Sequence, residues 1–552
     1  MKSDGLQNPR PSGRGVVKRR DWLAGMAALG LTGCGSDEAL RLAGGWVGTS
    51  VGRGHRLRML KSGALPAAAV QRRVSVLVVG AGVAGLAAAR ALDRAGVEDV
   101  HLLELEDEAG GNARGHRMAG MDCPLGAHYL PVPGAAAGEV RELLADFGLA
   151  RVAHGRWTWD ERHLCHAPQE RLFFEGMWHD GLLPPAEPGS ATLAQYWRFS
   201  TLVGQAQREV GFSMPALRTP WTAAHTALEA VTFADWLARQ GLDDERLRWY
   251  LDYCCRDDYG AEATTVSAWA GLHYFASRHG FHAPGDEDAE REPVLTWPEG
   301  NAWLTRRLVT PLADRLHTGR TALRVDEGRH AVEVLVWDEV AGRAERWTAD
   351  RVVLALPVFI AARLLTTLPE ALREVAAQAR YSPWLVANLH LAAPLLPRLG
   401  TPSAWDSIAY GSTTGLGYVD AMHQSLRPHA GPTVLTGYFA LPLAERAALL
   451  ADDWRPWAQR VIADLLPLHP DLPQQVRRVD LMRYGHAMRV PLPCTRSSPA
   501  HQALTRLAGR VTLAHADLAG YSVFEEAYTL GWQAGQGVAQ QLRPHHPSRR
   551  HG

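Results

Sequence analysis

Lysine is almost missing from this chain of 552 residues. Lys2, Lys18 and Lys61 are the only ones, and arginine supplies the rest of the 58 basic residues. Chemistry that needs a lysine side chain is therefore barred from everything after position 61. An excess of either charge is missing too, because Asp and Glu together also number 58. A zero balance gives no reason to expect nucleic acid or an acidic surface as partner. Cysteine is sparse. Cys34, Cys123, Cys165, Cys254, Cys255 and Cys494 form no CxxC, which argues against zinc and thioredoxin-like sites. No metal is expected, and the adjacent Cys254 and Cys255 read as buried structural thiols. Glycine and proline are frequent but follow no period, so collagen-like and linker arrays are excluded. With 46% hydrophobic and 21% charged residues the composition is globular. The length suits about two to four folding units or one two-lobed enzyme.

Beyond residue 40 no apolar run approaches the roughly 20 residues that span a bilayer. Ahead of it, Lys18-Arg19-Arg20-Asp21-Trp22-Leu23 leads into a short apolar run ending at Leu31. That is the length of a signal h-region, not of a permanent helix. The arginine pair resembles a twin-arginine export signal. Leu31-Thr32-Gly33-Cys34 resembles a bacterial lipobox. The expectation is a signal over 1–34, a lipid anchor at Cys34 and a periplasmic location. Export in the folded state suits an enzyme that loads its cofactor in the cytoplasm.

Val74 to Val79 is a continuous apolar run, as a buried parallel strand requires. It enters Gly80-Ala81-Gly82-Val83-Ala84-Gly85, then a helix-forming stretch to Ala95, then Val100-His101-Leu102-Leu103-Glu104. This is strand, GxGxxG, helix, strand and acid in the dinucleotide-binding order. Gly80 permits the turn, Gly82 lets backbone approach a pyrophosphate, and Gly85 lets helix and strand pack. The helix start around Ala84 offers free N–H groups to phosphate. Glu104, with Leu105 beside it, can accept ribose hydroxyls and would repel a 2′-phosphate.

The chain continues Glu106-Asp107-Glu108-Ala109-Gly110-Gly111-Asn112-Ala113-Arg114. An acid, a short spacer, a diglycine and a basic residue resemble the extended FAD signature of the flavin amine oxidase superfamily. That group also contains protoporphyrinogen oxidases and phytoene-type desaturases. The resemblance implies that Gly110 and Gly111 meet the cofactor and that Arg114 reaches phosphate, although Asn112 stands where many members have arginine. Gly126-Ala127-His128-Tyr129 resembles the loop near the flavin ring. Further along, Thr265 to Phe275 is similar to a Val-Ser-Ala helix of the substrate region. Trp297 to Leu304 resembles the segment that re-enters the FAD domain, and Arg351 to Pro357 a strand ending in proline. Backbone near Leu323 and Val325 would approach adenine. Asp517 ends a strand beginning at Arg510 and would bind the ribityl chain. Val523 and Phe524 open a helix to about Leu542 whose N-terminus would face the flavin pyrimidine and favour anionic reduced flavin.

The implied fold class is α/β: a Rossmann-like FAD-binding domain with a parallel sheet and an inserted α+β substrate domain. FAD segments are expected at 70–155, 292–366 and 500–545, and substrate segments at 156–291 and 367–499. Residues 35–69 read as a tether with a short extension. Residues 546–552 read as a tail, in which His551 and the neighbouring His545 and His546 suggest fraying rather than a metal tract.

The implied activity is hydride transfer from a small-molecule amine, including polyamines, to FAD. Many members use a lysine holding water at flavin N5, on a strand that here corresponds to Trp384 to Leu391. No lysine is present, so that device is excluded. The acceptor is then O2 or another oxidant. The desaturase branch also lacks the lysine, and it supplies a second reading with an apolar substrate. A third is a noncatalytic FAD-binding lipoprotein. Some members of the family link FAD to a cysteine near the C-terminal motif; Cys494 lies well before Asp517, so the resemblance implies noncovalent FAD. Candidate pocket residues are His128, Tyr129, Trp384, Asn388, Tyr484, His486, Met488 and Tyr521. Asp257 and Asp258 would suit a second ammonium, but their local sequence reads first as a surface turn.

Overall fold

The structure is a computed structural model that describes residues 42–59, 65–166, 168–286, 293–423, 425 and 430–542. The signal-like region, Cys34 and the histidine tail lie outside the described residues.

Two sheets organise the described chain. The first has the order Leu316–His317, Val100–Leu103, Ala68–Val79, Arg343–Leu354, Val332–Asp338 and Arg320–Glu327, with Val511–Leu513 also pairing to Arg343–Leu354. Its centre is parallel: Val76↔Val100 on one side of the first strand and Val76↔Arg351 on the other. Residues Val76 to Val79 are almost wholly buried because helices or strands cover both faces. The strand begins at Ala68, earlier than the apolar run suggests. Its first half alternates exposed and covered residues while pairing with Ala344 to Ala349. Alternation hides that half from a search for continuous hydrophobicity. These strands come from sequence stretches far apart, as the α/β class with a split nucleotide domain requires.

The second sheet runs Ala43–Trp46, Val476–Arg489, Tyr381–Leu391, Thr433–Ala440, Gly415–Asp420, Asp406–Ala409, Glu170–Phe174 and Met177–Asp180. Its inner face joins helices Ala191–Glu209, Glu245–Tyr259 and Ala268–Ala276 in one aromatic-rich core. Ser267 caps the last of these by accepting from Ala270 N at 3.3 Å.

The C-terminal helix Phe524–Leu542 lies against the glycine-loop helix Val83–Arg94. A Cβ on Gly531 would stand 2.0 Å from the carbonyl oxygen of Ala84. Small residues let these helices approach backbone to backbone, which places both N-termini at the same cavity. No described helix is long and apolar enough to cross a membrane. No group of potential metal ligands occurs among the described residues.

Candidate active site

One cavity of about 500 Å³ runs between the two sheets. At one end stands the glycine-rich turn. Gly80 has φ +98°, and Gly85 packs so closely that a Cβ would meet the carbonyl oxygen of Gly80 at 1.8 Å. Gly110 N donates to Ala81 O at 2.8 Å, bringing the diglycine onto the turn. A Cβ on Gly111 would lie 3.0 Å from Gly82 Cα. Glu104 is 8% exposed, and its carboxylate accepts from Ala81 N and Glu106 N, both at 3.0 Å. Burial raises its pKa against those two hydrogen bonds.

The middle of the cavity is tied together by Asn112. Its side chain donates to Ala487 O at 2.7 Å, and its carbonyl accepts from Ala127 N at 2.8 Å. Opposite stands Asp517, in a short turn capped by His515 rather than on the strand itself. Its Oδ2 accepts from Val358 N at 2.9 Å and from the hydroxyl of Tyr381, while its buried Oδ1 accepts no hydrogen bond but lies 3.2 Å from His515 Nδ1. Burial would raise the acid's pKa. His515, Arg489 and the Tyr381 hydroxyl outweigh that and hold it at about 2. Ser522, Val523 and Phe524 bring the start of the C-terminal helix to the same space.

The far end is aromatic. His128 stacks on Tyr438 with ring centres 4.2 Å apart, with Trp405 at 5.5 Å and Tyr129 at 5.0 Å. The Tyr438 hydroxyl donates to Gly126 O at 3.0 Å and that of Tyr484 to Leu125 O at 2.8 Å. Burial drives His128 down to about 3 and His486 to about 4, so both rings are neutral at pH 7. Asp257 lines this cavity from the buried helix Glu245–Tyr259. Among the described residues its carboxylate makes no ion pair, whereas the adjacent Asp258 pairs with Arg278 at 3.2 Å. Burial, then the charge of Asp258, pushes Asp257 up to about 7. The surface turn suggested by the local sequence is thus a helix end packed in the core.

The family profile described as "Flavin containing amine oxidoreductase" matches residues 83–539. The chain belongs to that family. Among solved structures, cyclohexylamine oxidase from Brevibacterium oxydans is similar at 18% identity and a TM-score of 0.63, covering 85% of this chain and 99% of that one. Putrescine oxidase bound to putrescine is similar at 17% identity and a TM-score of 0.60, covering 85% and 100%. A fatty acid isomerase from P. acnes is similar at 15% and 0.57, covering 85% and 99%. At these identities the likeness is one of fold. Polyamine oxidase 7 of Oryza sativa subsp. japonica is 36% identical over 58 residues, 10% of this chain and 12% of that protein. The chain thus spans about one eighth of that curated relative's length in the match.

FAD is the cofactor of this flavin-containing family, and the cavity fits it. The Gly82–Gly111 contact is a cradle that side chains would fill, and Asp517 offers a buried oxygen without a hydrogen bond. Gly80, Gly82, Ala84, Glu104, Leu105, Gly111, Asn112, Gly126, Ala127, Asp517, Val523 and Phe524 all line the space, as do His128, Tyr129, Trp384, Tyr484, His486 and Met488.

Other residues singled out from the sequence are placed elsewhere. Gly85 and Gly110 shape the turn by packing and do not line the space. Arg114 is turned away from phosphate: it donates to Gly111 O at 3.0 Å and to Gly48 O at 2.5 Å, pinning the diglycine from behind. Leu323 and Val325 point into apolar clusters, and their strand meets the cavity earlier, through Arg320, Thr321 and Ala322. Asn388 is fully buried between sheet and loop, donating to Pro124 O at 3.0 Å and accepting from Thr436 at 2.7 Å. Tyr521 is buried beside His273 and donates to Glu526 at 2.5 Å. Sequence reading missed Tyr381, Tyr438 and the segment around Arg53. The first two are single aromatics in strands, with no local signal beyond burial. No lysine or cysteine lines the cavity among the described residues, and the five described cysteines are unbridged.

Proposed function

We propose that this protein oxidises an amine that carries a second cationic centre, passing a hydride equivalent to noncovalently held FAD without a lysine–water pair. Asp257 carries the reading. It is a half-buried carboxylate that lines the same cavity as Asp517 and the glycine-rich turn, with no ion pair or side-chain hydrogen bond among the described residues. Arg278 and Arg256 offset only part of the burial and of the Asp258 charge that hold its pKa up, so a substrate ammonium would stabilise its ionised form. When bound, FAD supplies the hydride acceptor. The chain supplies orientation and dryness. His128, Tyr129 and Tyr438 give aromatic faces along which the carbon chain can lie and a cation is attracted. The neutral imidazoles leave the reacting nitrogen free of a competing positive charge. The start of the helix Phe524–Leu542 directs partial positive charge toward the reduced cofactor. An all-apolar substrate would have to lie against the Asp257 carboxylate, which disfavours the desaturase-like alternative.

Export by the twin-arginine route, with Cys34 lipidated in a bacterial periplasm, belongs to the same proposal and rests on residues 18–34. Replacing Cys34 with alanine should release the protein from the membrane fraction.

The test of the site is Asp257→Asn assayed with a diamine and with a monoamine of equal chain length. KM for the diamine should rise about 10–100-fold, the range expected for loss of a charged contact, with kcat nearly unchanged. The monoamine should be affected far less. An unchanged KM for the diamine would overturn the assignment.

A further inference from the structure

The cavity has a wall that does not belong to the nucleotide fold. Residues Ala43–Trp46 form an edge strand of the second sheet, pairing in parallel from Ala43↔Arg478 to Trp46↔Leu481. The chain then crosses to the first sheet and forms the helix Val51–Met59. Arg53, Gly54 and Leu57 of this helix line the cavity beside Glu104, Leu105 and Thr321. The Gly80–Gly85 turn and Glu104 mark that end as the nucleoside side of a dinucleotide.

The helix is fastened in place. Ser50 N donates to both carboxylate oxygens of Glu106, at 3.0 and 3.1 Å. Arg53 donates to Leu105 O at 3.3 Å and to Asp107 at 2.8 Å. Arg56 makes a two-pronged pair with Glu339, at 2.8 and 2.5 Å, and lies over the Trp337 ring. The same Glu339 accepts from Thr321, which lines the cavity. Leu57 packs against the apolar clusters of the first sheet. An exposed ion pair contributes little alone, but here three anchors hold one short helix over one opening.

We propose that this segment is an adenosine-side wall of the FAD site, with Arg53 and Leu57 acting as cofactor-binding residues supplied from outside the nucleotide fold. The chemistry matches a purine nucleoside: a planar cation and an aliphatic side chain at the end where Glu104 awaits a ribose. The strap also ties the two sheets together at this end of the cavity. The inference rests on FAD as cofactor and is independent of which substrate is oxidised.

The experiment uses the full chain with Arg53→Ala, Leu57→Ala and the double variant, and Arg58→Ala, an exposed neighbour on the same helix, as control. FAD affinity of each apoprotein is read from quenching of flavin fluorescence, and apoprotein folding from thermal unfolding. The double variant should bind FAD about 10-fold or more weakly, a loss of roughly 1.4 kcal/mol. Because both side chains also anchor the helix, its apoprotein melting temperature should fall, but by less than the loss of FAD affinity accounts for. FAD affinity equal to the control's would overturn the proposal. So would a loss of affinity matched by an equal loss of apoprotein stability, which would make the segment a structural tie only.

Discussion

The Tyr381 hydroxyl donates to Oδ2 of Asp517, joining the second sheet to the turn that holds the cavity's central carboxylate. That bond, with the one from Val358 N at 2.9 Å, fixes one oxygen, while the other lies 3.2 Å from His515 Nδ1 and has no hydrogen bond of its own. Tyr381→Phe should therefore weaken FAD binding about 3–10-fold, the worth of one ordinary hydrogen bond, since the tyrosine acts through Asp517. Flavin fluorescence quenching would measure it. Asp517→Ala should weaken binding further, because it removes the ligand oxygen as well.

The close approach of the two helices gives a second expectation. Gly531→Ala places a methyl group where Ala84 O stands 2.0 Å away. Overpacking of this kind costs about 1–3 kcal/mol. Thermal unfolding should show it. FAD affinity should fall too, because Ala84 is itself part of the cavity wall.

Asp257 makes stability depend on pH in a defined direction. Its folded pKa, about 7, lies above its usual value. The folded state keeps the proton that the unfolded chain releases, so the group's contribution is fully present below about pH 4 and is lost as pH rises through 7. Asp257→Asn removes that loss. The ligand-free variant should melt on the order of 2–5 °C higher than the parent at pH 8 and equally at pH 4. A difference that is constant with pH would contradict the assigned ionisation.

Asn388 separates structure from binding. Asn388→Ala leaves the Pro124 carbonyl and the Thr436 hydroxyl without their buried partner. It should cost about 1–3 kcal/mol of stability. KM for the amine should stay unchanged, because Asn388 does not line the cavity.

The dinucleotide turn was legible in the sequence because its requirements are local. A strand, three spaced glycines, a helix and Glu104 are neighbours along the chain, and backbone sterics demand each one. Asp517 and the helix after it were legible for the same reason. The aromatic end was read only in part. His128 and Tyr129 adjoin the signature, whereas Tyr438 arrives from a distant strand and Trp405 from the residue before another, and neither carries a motif. Asn388 stood among the pocket candidates on the strand that corresponds to the family's lysine strand, and Tyr521 beside the C-terminal motif, yet each is satisfied by a protein partner. Asp257 gave the opposite error. Charged residues around it mimic a surface turn, but Arg278 and the packing of Tyr253 and Tyr259 bury the helix. Arg53 was invisible because a strap has no periodic pattern and gains its role only where it lands.

The most direct test of the central claim is the visible spectrum of the purified holoprotein under anaerobic conditions as diamines, polyamines and monoamines are added. The flavin bands should bleach with amines carrying two cationic centres, and more slowly or at higher concentration with monoamines. Readmitting air would then show whether O2 or another acceptor restores the bands. Flavin bands that persist with every amine would contradict the account.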